Sequence, residues 1–295
     1  MASEAVAERR SGSRRLSDLL HGRERLQVGA LLAGPIGWLV IGYLGSLALL
    51  LVAAFWSVDP LSGLTIKEFT LENFEALVNE PVYRTIAWRT IRTALLVTLT
   101  DAVIAFPIAF YMAKVASRRG KALLVIAILL PLWSSYLVKV YAWRTLLSAN
   151  GAINWALEPI GLHGPGYGTT AVWLVFSYLW LPFMILPIYA GLERIPNSLI
   201  SASEDLGASP FTTFRRVILP LSFPAVVAGS IFTFSLTLGD YITPRLVSND
   251  QFIGNVIFSN IANNQPFAAA LAMIPIVVMI AYLLVARRLG AFEHV

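Results

Sequence analysis

Asp101 falls near the middle of one long apolar run of this chain, and Asp240 stands where another run ends. Charged side chains are costly inside a membrane and usually face a bundle interior or a water-filled cavity. Two carboxylates on one route would suit a diamine or triamine, whose ammonium groups need counter-charge. Aromatic faces add cation–π attraction, and Trp133, Tyr136, Tyr141, Trp143 and Tyr241 are candidates. Each residue also has a plainer reading. Asp101 can pair with an Arg or Thr of a neighbouring helix, Asp240 can pair with Arg245, and the aromatics can be interfacial belt residues. Other chemistry finds little support. There is no cysteine, which excludes disulfides, thiolate metal sites and a cysteine nucleophile. His21, His163 and His294 are too scattered for a local metal site, and His163 reads as a solvated loop residue. No phosphate-binding GxxxxGK[ST] loop occurs, so any ATP use must fall to a partner.

The elements that must position these residues follow from composition. Hydrophobic residues make up 57% of 295, charged residues 13%, and mean hydropathy is +0.70. A soluble globule carries about 25% charged residues, so most of this surface must face lipid. A helix needs about 20 mostly apolar residues to span the bilayer. The runs between charges predict six spans, at roughly 30–56, 90–111, 122–138, 170–192, 219–239 and 267–286. The first is too long for a cleavable signal peptide, whose apolar region is about 7–15 residues. It reads as an anchor. The spans contain or adjoin Pro107, Pro131, Pro182, Pro187, Pro224 and Pro275, which membrane helices tolerate.

Loop charge provides an independent count, because Lys and Arg favour the cytoplasmic side. Arg9, Arg10, Arg14, Arg15, Arg23 and Arg25 precede the first span; Lys114, Arg118, Arg119 and Lys121 cluster after the second. Arg194, Arg215 and Arg216 follow the fourth span, and Arg287 and Arg288 follow the sixth. The alternate loops are acidic or sparsely charged, with helical patches at 73–80 and 151–160 and a Gly/Pro-rich turn at 161–168. Both termini are therefore expected in the cytoplasm. The net charge of +5 belongs to a membrane surface rather than to nucleic-acid binding. The expected division is a basic tail over 1–29, a membrane region over 30–286, and a second tail over 287–295.

The most specified loop is 195–226. Ser201-x-x-Glu204 fits a capping box, Gly207 a left-handed helix stop, and Ser209-Pro210 an N-cap with proline at N1. The loop reads as a short helix, a glycine break, and a second helix running into the fifth span.

Asp205-Leu206-Gly207-Ala208-Ser209-Pro210, followed by Val217-Ile218-Leu219-Pro220, resembles the EAA loop of ABC-importer permeases, which this sequence matches from Gly207 to Pro220. That pattern is Glu-Ala-Ala, three residues, Gly, nine residues, then aliphatic-x-Leu-Pro. Ser201-Ala202-Ser203 stands at the Glu-Ala-Ala positions, so the first glutamate and the second alanine are lost, though Glu204 and Asp205 keep the helix acidic. The stretches 130–143 with 150–154, and 238–244 with 253–257, resemble the first permease subunit of spermidine/putrescine transporters, and permeases for phosphonates, opines and ferric iron share much of them.

The resemblance implies an all-α membrane protein, a six-helix type I ABC importer permease, in the bacterial inner membrane. It implies an EAA loop at about 195–220, with Ser201 to Phe211 docking into a cytoplasmic ATPase. It also implies a second homologous permease, two copies of that ATPase, and an extracytoplasmic binding protein, with ATP and Mg²⁺ handled by the ATPase and no cofactor on this chain. A self-sufficient channel or secondary transporter would be expected to show an internal repeat, and none is convincing here. A lipid-modifying enzyme would need clustered polar groups at a leaflet surface, whereas the spans offer only Asp101 and Arg92.

Overall fold

The computed structural model describes residues 24–288. His21, His294 and most of the two basic tails lie outside those residues. Among the described residues, five helices are long and apolar enough to cross a membrane: Leu31–Ala53, Pro81–Val115, Thr169–Glu193, Pro210–Gly239 and Gln265–Arg288.

The chain divides into two units, with the break after Ala54. The first unit is helical throughout, as α1 (Glu24–Trp38), a π turn (Leu39–Leu44) and α2 (Gly45–Ala53). Leu31, Trp38, Ile41, Tyr43 and Leu49 are all exposed, the outward apolar surface expected of a helix in lipid.

The second unit opens with a hairpin of β1 (Ser57–Val58) and β2 (Thr65–Ile66). Asp59 closes its turn by accepting from the Leu61 amide and the Ser62 hydroxyl. Those donors hold its carboxyl below the usual range. Helix α3 (Glu72–Asn79) confirms the first expected helical patch. Pro81 then starts α4 (Pro81–Phe110), which continues through a π turn at Tyr111–Val115.

The third apolar run departs from expectation. Instead of one straight span over 122–138, α5 (Arg118–Trp133) and α6 (Tyr136–Leu147) meet at 90°, so a sixth crossing exists only if the bent pair counts as one span. The break is filled chemically. The Pro131 carbonyl accepts from the Ser134 amide (3.3 Å), the Ser134 hydroxyl (2.8 Å) and Lys139 Nζ (3.2 Å). Hydropathy registers none of this, because the residues on both sides of the bend are apolar.

The remaining elements are α7 (Ala152–Leu157), α8 (Thr169–Glu193), α9 (Asn197–Asp205), α10 (Pro210–Thr213), α11 (Leu219–Gly239), α12 (Ile242–Val247), α13 (Ile253–Asn260) and α14 (Gln265–Arg288). A π turn at Phe214–Ile218 joins α10 to α11. Helices α4, α8 and α11 pack on one another as the central trio, α14 lies on α11 and α13, and α6 lies on α12. Toward the Gly239 end the core holds Val97, Val172, Val175, Phe176 and Leu179. Toward the Arg216 end it holds Met112, Met184, Ile188, Leu192 and Ile218. Buried hydroxyls such as Thr90, Thr98, Ser222 and Thr237 bond a carbonyl one turn back in their own helix, which makes them tolerable inside a bilayer.

Candidate functional site

The first candidate zone is the loop between α8 and α11. Helix α9 begins at Asn197 after an extended Pro196, so Ser201 and Glu204 sit inside it. The expected capping box is therefore absent. The helix starts one turn earlier than the Ser-x-x-Glu spacing suggested, because Pro196 fixes the entry. The expected stop does form. Gly207 adopts φ +80°, its amide donates to Glu204 (2.8 Å), and the Ala208 amide donates to Ser203 (3.1 Å). These are the two bonds of a Schellman motif. Ser209 then caps α10 by accepting from the Thr212 amide at 3.3 Å, with Pro210 at the first turn. The hydroxyls of Ser203 and Thr213 lie 3.0 Å apart and tie the two helices together. Leu206 is 88% exposed and Phe211 70%, so two apolar side chains flank the glycine turn. Ser201, Ala202, Glu204 and Asp205 stand on α9 just before the turn.

The second zone surrounds Asp240, where α11 breaks before α12. Its Oδ1 accepts from the amides of Ile242 (2.7 Å) and Thr243 (3.0 Å). Its Oδ2 accepts from the Tyr136 hydroxyl, which also meets Thr243 Oγ1 at 2.7 Å. The Tyr136 ring stacks on Trp180 at 6.0 Å and 14°. Behind the break, α13 approaches so closely that a Cβ on Gly254 would lie 2.6 Å from the Asp240 carbonyl oxygen. A cavity of about 390 Å³ opens here, lined by Tyr136, Trp180, Ser235, Gly239, Asp240 and Tyr241 among others.

Three of the seven candidate residues, Tyr136, Asp240 and Tyr241, thus meet at one cavity. Asp101 does not. It is 0% exposed within α4, facing Ser177 of α8 outside hydrogen-bonding geometry, and it lines no part of the Asp240 cavity. Neither of its expected roles is seen. Trp133 is 91% exposed at the α5–α6 bend and also stands apart from the cavity. Arg245, expected as a partner for Asp240, instead lies over the Phe258 ring at 5.2 Å, while Tyr241 stacks on the same ring at 4.6 Å. The ion pairs found among the described residues are Arg89–Asp250 and Lys121–Glu193. Trp180 was missed from sequence; its one signal was a polar-tipped aromatic between Leu179 and Pro182 in a long apolar run.

One face of α11 joins the two zones. Leu221, Ala225, Ala228, Phe232, Ser235 and Gly239 recur at helical spacing and are not buried, while Ser222, Gly229, Ser230, Thr233 and Thr237 on the opposite side are buried. At the Leu221 end this face opens into a second cavity of about 410 Å³ with Gly191 and Arg194 on its wall.

Residues 86–291 match the family described as binding-protein-dependent transport system inner membrane component. The chain belongs to that family of ABC-importer permeases. Both zones of the permease lie within the matched region. It is 44% identical over 302 aligned positions to the inner membrane ABC transporter permease protein YdcU of Escherichia coli K12, covering 96% of each chain. It is 31% identical to the spermidine/putrescine transport system permease protein PotB of the same organism, covering 85% of this chain and 93% of that one. Its fold is shared with a bacterial alginate ABC transporter in complex with a pentasaccharide-bound periplasmic protein, at TM-score 0.74 and 19% identity, covering 92% of this chain and 96% of that chain. It is also shared with the MetNI methionine ABC transporter, at TM-score 0.55 and 17% identity, covering 70% of this chain and 94% of that chain. The permease is thus an all-α, multi-pass inner-membrane component of an ABC importer.

Proposed function

We propose that this permease forms half of the translocation route of a polyamine importer and takes its energy from a cytoplasmic ATPase at the Gly207 turn. The observation that carries the cargo assignment is the Asp240 carboxylate set beside the Tyr136–Trp180 stack at the edge of a cavity. An ammonium group gains from both, since aromatic faces attract cations most strongly where water is thin. The names of the PotB relatives, spermidine/putrescine permeases, support the same class. The unburied α11 face, with small or polar residues at four of its six positions, suits a shared wall with a second permease better than contact with acyl chains.

In this reading the Gly207 turn faces the cytoplasm, both termini lie on that side, and the 151–168 loop faces outward toward a binding protein. ATP and Mg²⁺ belong to two ATPase copies, one beneath each permease. The apolar pair Leu206 and Phe211 would seat in the ATPase, with Glu204 and Asp205 at the rim. Crosslinking tests this arrangement. Leu206→Cys and Phe211→Cys should each crosslink to the co-expressed ATPase, and Glu158→Cys should react with an impermeant maleimide added outside, without permeabilisation. A Glu158→Cys that is labelled only after permeabilisation would reverse the orientation, and the absence of an ATPase crosslink from both 206 and 211 would remove the ATPase from this turn.

A further inference from the structure

The root of α9 is held by a side chain from another helix. Helix α8 ends at Glu193 and α9 begins at Asn197, so Arg194, Ile195 and Pro196 form a short joint. Pro196 has no N–H, and the Ile195 carbonyl lies outside both helices. An unpaired backbone carbonyl at the edge of a bilayer is costly. Lys114, on the π turn that ends α4, places Nζ 2.5 Å from the Ile195 oxygen and 3.2 Å from Asn197 Oδ1. The Ile195 side chain is buried in the same cluster as Met112 and Ala113, the two residues before Lys114. One ammonium group and one apolar side chain therefore fasten the joint to α4.

Neighbouring contacts brace the same corner. Lys121 of α5 reaches Glu193 Oε1 at 3.1 Å and the Ala113 carbonyl at 3.0 Å, and the Tyr189 hydroxyl donates to Glu193 at 2.9 Å. A lysine present only for the cytoplasmic charge bias would extend its head toward water. Lys114 is half-buried and turned inward onto a carbonyl, a charge-assisted bond of the stronger kind. At the far end of α9 the Ser203–Thr213 contact ties it to the segment leading into α11. The helix is thus pinned at one end to α4 and at the other to the root of α11. Both are members of the central trio, and both attachments lie at or beside π turns, a local widening often found at functional positions.

We infer that Lys114 is the positioning residue for energy coupling: it makes α9 move with α4, so that a displacement imposed at the Gly207 turn reaches the central helices instead of being absorbed at the 194–196 joint. This rests on the assignment of the Gly207 turn to the ATPase. The test uses the full complex in proteoliposomes, with its partner permease, ATPase and binding protein, and reads spermidine transported per ATP hydrolysed. Lys114→Met should insert and assemble normally yet lower that ratio about tenfold. Lys114→Arg, which keeps a cationic donor of similar reach, should restore the ratio to within about twofold of the original. An unchanged ratio in Lys114→Met overturns the inference, whether hydrolysis is intact or falls in step with transport, because a structural defect lowers the amount of working complex and not its ratio. Gly207→Val, measured alongside, separates the two claims. If it abolishes transport while Lys114→Met behaves like the original, only the role of Lys114 fails. If Gly207→Val is itself silent, the assignment of the turn fails and the inference falls with it.

Discussion

Replacing Gly207 with valine is expected to lower transport and binding-protein-stimulated ATP hydrolysis together, by at least tenfold, while membrane insertion persists. Gly207 adopts φ +80°, and no atom lies within 4 Å of where its Cβ would be. The penalty is therefore in the backbone and not in crowding. An L residue in the left-handed region costs about 1–2 kcal/mol, and a β-branched one is a genuine outlier there. The cheapest escape is to unwind the Schellman turn, which breaks the Gly207–Glu204 and Ala208–Ser203 bonds and displaces the exposed Leu206. Gly207→Asn gives the contrast, because asparagine tolerates this conformation; it should retain most of the activity. Equal activity in Gly207→Val and the original would show that the turn does not transmit energy.

Asp240→Asn should reduce polyamine uptake at least tenfold, roughly 1.4 kcal/mol of lost stabilisation, with complex assembly unchanged. The substitution separates charge from architecture. Asparagine Oδ1 can still accept from the Ile242 and Thr243 amides, and its amide can donate to the Tyr136 oxygen, so the break between α11 and α12 should hold. What disappears is the negative charge at the cavity edge. Tyr136→Phe removes one donor to Asp240 and leaves the ring on Trp180, so its effect should be smaller than that of Asp240→Asn. Arg245→Ala should leave uptake largely unaltered, because Arg245 lies over Phe258 and not against Asp240. Lowered stability in both Asp240→Asn and Tyr136→Phe, with uptake per assembled complex preserved, would make the cluster a helix-breaking device and nothing more.

The features legible in the sequence were those governed by local rules. The fifth span ends at Gly239 as expected, because Asp240 turns extended and its carboxylate accepts from the Ile242 and Thr243 amides, which starts a new helix in the chain itself. Gly207 and Ser209-Pro210 took their expected roles because a helix stop and an N-cap are decided by a few adjacent residues. Errors arose where bonds from side chains to backbone carbonyls, and not hydropathy or residue spacing, mark the break. The bend between α5 and α6 depends on Ser134 and Lys139 gathering at the Pro131 carbonyl, within a stretch apolar enough to pass as one span. The start of α9 is set by the extended Pro196, with the Ile195 carbonyl before it taken by Lys114 from a π turn some 80 residues earlier, so the Ser201–Glu204 spacing falls inside the helix. Asp101 and Asp240 looked alike as carboxylates near apolar runs. Only the packing of α4, α8 and α11 separates a core residue from one that faces a cavity.

The claim that this permease carries polyamines at the expense of ATP is tested most directly by reconstitution. Proteoliposomes holding the permease with its partner permease and ATPase, and supplied with the binding protein, should accumulate labelled spermidine only when ATP is present on the ATPase side. Accumulation should persist when ion gradients are collapsed and should be competed by unlabelled putrescine. Accumulation driven by an ion gradient without ATP, or ATP-driven uptake of another solute with spermidine excluded, would contradict it.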